Sequence, residues 1–191
     1  MNWDKELNQA IEQENLAGIA NVFRESLTCE KFLSGPDEED RELDIDRIFG
    51  KSFHRVLREI LSYDPSSLDP DEGSVSTPSA VADGYTFEAV KSGVVLRSPS
   101  GELVGGYLSC DLALDDEHQG LGLGAEIIIE YFLRNDNIPT WDLDTPAYSP
   151  AGEAAHVSAW NSMANNPEVV LRKAQKIMGT ERGTKPSPSP F

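Results

Sequence analysis

The chain has 191 residues, 39% of them hydrophobic and 26% charged, and its net charge is −17, from 33 acidic against 16 basic side chains. That length and composition suit a folded domain of ordinary size rather than a disordered chain. The acidic balance argues against a phosphate-tracking nucleic-acid binder, which needs a basic face, and favours a cationic amine or a basic protein as partner.

Two cysteines, Cys29 and Cys110, are too few for a disulfide framework and read as reduced thiols of a cytoplasmic protein. The opening "MNWDKELNQAIEQEN" has neither a basic nor an apolar signal region. No apolar run approaches the roughly 18 residues needed to span a bilayer, so no membrane association is expected.

Residues 2–28 carry Trp3, Leu7, Ile11, Ile19, Val22, Phe23 and Leu27 at helical spacing, which predicts one amphipathic helix capped by Asn2. The acid-rich stretch from Asp37 to Asp46 reads as a solvated loop. A second amphipathic helix follows, with Ile45, Ile48, Phe49, Phe53, Val56, Leu57, Ile60 and Leu61 on its apolar side. Residues 1–63 thus form an N-terminal helical segment. Residues 64–84, rich in Pro, Ser and acids, read as a linker or long loop.

The period then changes. Tyr85–Val90 and Gly93–Ser98 alternate as strands, and Glu102–Leu114 reads as a third, with Leu108, Cys110, Leu112 and Leu114 on one face. Tight turns between them imply an antiparallel meander. Beyond the glycines, Leu123, Ile127, Ile128, Tyr131 and Phe132 predict a helix whose opposite side holds Glu126, Glu130 and Arg134. Ile138–Asp144 reads as a short strand reached by crossover, hence parallel to the third. Ser149 and Pro150 start another helix, Asn166-Pro167 a further one to Gly179, and residues 180–191 read as a disordered tail. The fold class expected is α/β (α+β), with an α/β core and C-terminal helices over 85–179.

Three glycines, Gly120, Gly122 and Gly124, stand where a strand runs into a helix. First-turn amides lack helical partners there and the helix dipole adds positive potential, so the arrangement suits an anion. A P-loop is ruled out because no Lys-Ser/Thr follows. A dinucleotide fold fits Gly120, Gly122 and Ala125, with Asp142 and Asp144 downstream, but "DDEH" separates strand from glycines and only one strand follows.

Gln119, Gly122 and Gly124 match the Gln/Arg-x-x-Gly-x-Gly/Ala motif of the GNAT acetyltransferase superfamily, and Tyr85 to Trp160 resembles that family's core. The segment "AYSPAGEAAH" is also similar to stretches of GNAT-like proteins from bacterial mobile elements. The resemblance implies a mixed sheet of three antiparallel strands and one parallel strand. It implies acetyl-CoA as co-substrate, with its pantetheine arm along a strand that includes Leu112 and Leu114. The pyrophosphate would lie on the amides of Gln119, Gly120, Leu121, Gly122, Leu123, Gly124 and Ala125.

Acetyl transfer needs an acid for the departing thiolate and a base or anionic group for the amine. Tyr148, after the parallel strand, is the candidate acid, and Asp111, on the third strand, the candidate base. His156 reads as a hydrogen-bonded packing residue, His118 as a loop residue and Cys110 as core. The scattered histidines and cysteines have no metal-site spacing. A second reading stays open: a non-catalytic acidic interaction or inhibitor protein on a degenerate GNAT-like scaffold. It is favoured by Asp115, Asp116 and Glu117 beside the motif and by the absence of the family's terminal strands.

Overall fold

A computed structural model describes residues 3–27, 52–109, 111–134 and 149–172. Asn2, Cys29, Cys110, the predicted Ile138–Asp144 strand, Tyr148 and the 180–191 tail lie outside those residues, as does the first part of the predicted second helix.

The N-terminal segment forms two helices where the periodicity predicts one. α1 spans Trp3–Glu12 and α2 spans Leu16–Leu27. Glu14 turns into the left-handed region at φ 51°, which ends α1. Asn15 then caps α2, its Oδ1 accepting the Gly18 N–H at 3.0 Å. α3 spans Phe53–Tyr63 and leads into a 3-10 turn at Pro65–Leu68.

Among the described residues the sheet has five strands, all antiparallel and ordered as in the chain: β1 (Thr77–Pro78), β2 (Thr86–Val90), β3 (Gly93–Arg97), β4 (Leu103–Leu108) and β5 (Asp111–Leu114). Two expectations are corrected here. The stretch read as a linker contributes β1, and Pro70 bridges to Val90 as well. The stretch read as a third strand is a hairpin: β4 and β5 fold back on each other, pairing Leu108 with Asp111 and Tyr107 with Leu112. Residues opposite one another in a ladder share a face. Leu108 therefore lies on the same side as Asp111 and Ala113, and Leu112 lies with Tyr107 on the other.

The sheet is covered on both faces. Phe53 and Val56 of α3 pack with Val90, Val95, Leu108 and Ala113 on one side. On the other, α4 (Leu123–Arg134) buries Leu123, Ile127, Ile128, Phe132 and Leu133 against Phe87, Val94, Leu96, Val104 and Tyr107. α5 (Pro150–Asn165) packs on α4, and α2 packs on α5. Phe23 joins these helices, its ring meeting Phe132 at 5.8 Å and Trp160 at 5.9 Å, both edge-on. Burying side chains of that size stabilises by about 1.5–3 kcal/mol each. The cap expected of Ser149 is present, its Oγ accepting the Gly152 N–H at 3.2 Å with Pro150 in the first turn. Residues 167–172 are helical again after Asn166. The architecture is α+β, with β5 the last strand among the described residues and feeding directly into the glycine segment before α4.

Candidate ligand-binding site

Between β5 and α4 the chain makes one compact corner. Asp115 N–H donates to the Val104 carbonyl at 2.9 Å, extending the pairing beyond Leu114. A 3-10 turn over Asp116–His118 follows. The Gln119 amide then ties the corner together, its Nε2 donating to the Leu114 carbonyl at 3.1 Å and to Asp116 Oδ1 at 3.0 Å.

The glycines divide into two roles. Gly120 and Gly122 have φ of 78° and 83°, backbone conformations that cost a side-chain-bearing residue roughly 1–2 kcal/mol. Gly124 is helical, and its role is packing: a β-carbon there would stand 3.3 Å from the β-carbon of Ala155, so the bare glycine lets α4 and α5 approach closely. Glycine is needed for turn geometry at two positions and for helix–helix contact at the third, which offsets the roughly 1 kcal/mol that a glycine costs within a helix.

α4 opens its hydrogen-bond ladder with Glu126 N–H to the Gly122 carbonyl at 3.3 Å, which leaves the amides of Leu123, Gly124 and Ala125 ahead of it. The Leu123 side chain points into the core, 1% exposed, and Ala125 packs against it, so only their backbone could meet a ligand. Leu121 is exposed beside Gly120, where a β-carbon would meet nothing within 4 Å. Leu112 and Leu114 are partly buried on the α4 side, and Leu114 lies over Gly105.

No Lys or Arg occurs between Asp115 and Ala125. The dipole, equivalent to about half a positive charge, is set against the carboxylates of Asp115, Asp116, Glu117 and Glu126. The Glu126 charge is engaged: the Ser79 hydroxyl donates to Oε2 and the Ala80 N–H to Oε1. A second cross-link joins the corner to the start of β2, where the Tyr85 hydroxyl and His118 Nδ1 stand 2.7 Å apart with their rings edge-on.

Sequence reasoning missed these partners. Periodicity placed Glu126 on a polar face without indicating that the face meets the β1 segment, and His118 read as a loop residue because its phenol partner is 33 positions away. Asp111 sits at the start of β5 on the side facing α3, away from Leu112 as expected, and it carries other interactions. Among the described residues the structure does not bring Asp111 to the glycine corner, which lies at the opposite end of β5.

Among the described residues no group of three His, Cys, Asp or Glu side chains converges as a metal site, and no helix is long and apolar enough to cross a membrane. A half-open cleft of about 130 Å³ lies between Ile129, Leu133, Met163 and Val170, toward the other end of α4. Its lining has no titratable side chain, so the glycine corner is the better candidate. Comparison with protein-family models, with curated proteins and with solved structures finds no match to the chain.

Proposed function

We propose that the Gln119–Gly124 corner binds the pyrophosphate of acetyl-CoA and that the protein transfers the acetyl group to a cationic amine, on a small molecule or a basic protein. The observation that carries this reading is the run from β5 through two left-handed glycines into α4, which presents first-turn amides with clear space over Gly120. In the full arrangement the Ile138–Asp144 segment would add a parallel strand beside β5, and the pantetheine arm would lie along the β5 backbone. Asp111 would hold or deprotonate the amine and Tyr148 would protonate the thiolate. The −17 net charge suits such an acceptor.

The test is a thermal shift. At a hundredfold excess over the dissociation constant, binding stabilises a fold by about 2.7 kcal/mol, or roughly 5–10 °C for a domain of this size. Gly122→Val should remove the shift while the protein without ligand stays folded. Absence of any shift in the parent protein at millimolar acetyl-CoA overturns the reading.

A second reading is favoured by one observation. The Gln119 amide is committed within the corner, and the carboxylates beside it oppose a diphosphate. On that reading the protein is an acidic interaction or inhibitor protein that docks a basic partner and turns nothing over. Salt-sensitive capture of a lysine-rich protein without acetyl-CoA binding supports it.

A further inference from the structure

We infer that the tip of the β1–β2 hairpin, residues 79–84, is a flap over the Gly122 side of the glycine corner, latched shut by the Glu126 carboxylate. What the flap would admit rests on the acyl-CoA reading; the flap itself does not. Its contact with the corner is slight. A β-carbon at Gly122 would stand 3.7 Å from Val81 Cγ2, yet Val81 is 55% exposed and neighbouring Leu121 is 48% exposed. Of the tip's side chains Ala82 packs against the core, while Val81, the one over the corner, buries little.

The polar contacts are concentrated on one side chain. Ser79 Oγ–H and Ala80 N–H both donate to Glu126, and Ser79 Oγ in turn accepts the N–H groups of Val81 at 3.2 Å and Ala82 at 3.0 Å. Three successive amides therefore depend on one carboxylate and the hydroxyl it orients, and on no strand ladder. The tip is closed at its base by Ser79 N–H to the Tyr85 carbonyl at 2.9 Å, with Gly84 turning at φ 82°. That base defines the hinge. Gly120 is open to solvent and Gly122 is covered by Val81, so the flap position decides how many of the corner's amides a ligand reaches.

The experiment is amide hydrogen exchange, read residue by residue, on the parent protein and on Glu126→Gln. Charged hydrogen bonds weigh more than neutral ones, so the variant should exchange Ala80, Val81 and Ala82 at least about tenfold faster, while the β3 amides keep their rates. Unchanged tip rates, or β3 rates that rise in step with them, overturn the latch. If Glu126→Gln does not fold, Ser79→Ala carries the same comparison, since it removes the oriented hydroxyl and keeps the charge. Where acetyl-CoA binds the parent, Glu126→Gln should also raise its association rate; an unchanged rate means the flap does not gate the corner. Where acetyl-CoA does not bind, the exchange result alone decides the latch, and the acyl-CoA reading fails separately.

Discussion

Arg134 Nη2 stands 2.7 Å from Thr77 Oγ1, joining the last turn of α4 to the edge strand β1 across 57 positions of chain. The Thr77 hydroxyl donates onward to Glu130 Oε2 at 3.3 Å, and Arg134 Nε donates to the same oxygen at 3.1 Å. The Arg134 and Glu130 side chains are 15% and 16% exposed, so water screens this triad far less than an ordinary surface pair. Thr77→Val keeps the side-chain shape and removes both hydroxyl bonds; it should cost about 1–2 kcal/mol in urea unfolding. A double-mutant cycle with Arg134→Met should show coupling of at least about 0.5 kcal/mol. Strict additivity would mean that the bridge does not hold β1.

His156 sets an acid limit on stability. It is 1% exposed, edge-on to Tyr107 and tilted against Trp160, with Nδ1 2.7 Å from the Gly152 carbonyl. Burial lowers its pKa from 6.5 to about 4, with the Gly152 bond opposing the shift. The folded protein therefore binds this proton less readily than the unfolded chain. Stability from the neutral imidazole is complete above pH 6.5 and is lost as pH falls toward about 4. The whole span is on the order of 3 kcal/mol. Unfolding free energy measured from pH 7.5 to 4 should fall over that window, and the fall should flatten in His156→Gln. An identical slope in the variant would move the effect to other groups.

Ser109 occupies the turn of the β4–β5 hairpin at φ 57°, where a residue other than glycine is strained. Asn tolerates that region better than Ser, so Ser109→Asn should stabilise by roughly 0.5 kcal/mol. Calorimetry reads this as a higher melting temperature, and a lower one would show that the Ser109 side chain matters more than its backbone.

Tyr148→Phe separates an enzyme from a binder of acetyl-CoA. A positioned general acid contributes about 10²–10⁴-fold to rate, so if Tyr148 is the proposed acid the variant should lose kcat by that order and keep its acetyl-CoA affinity. Full turnover in the variant, with acetylation of a polyamine or lysine-rich acceptor detected in the parent, would reduce Tyr148 to packing.

Residues 123–134 and the Ser149-capped helix were legible because periodicity, cap and flanking residues agree there. The hairpin at Ser109 was not. Apolar residues fall at every second position from Leu108 to Leu114, and a two-residue turn without Gly or Asn leaves that alternation unbroken. Length was the available signal, since a strand over Glu102–Leu114 would exceed the usual five or six residues. The break at Glu14 was masked in the same way, because Leu7, Ile11, Ile19 and Phe23 keep helical spacing across it. At the candidate site the glycines were legible as a turn. The partners of Glu126 and His118 were not, because periodicity shows which side is polar but not what covers it.

Strand order carries a kinetic consequence. Among the described residues every strand pairing joins neighbours in the chain, so β1–β5 can zip up hairpin by hairpin with short loop closures. The slow contact is elsewhere: Arg24 reaches the Ala164 carbonyl across 140 positions, and Phe23 meets Trp160. During synthesis α2 leaves the ribosome long before α5 exists, so the Phe23–Trp160 contact forms late. A chain stalled before residue 150 carries the β1–β5 hairpins but lacks the α5 surface that α2 packs on, a species prone to aggregate.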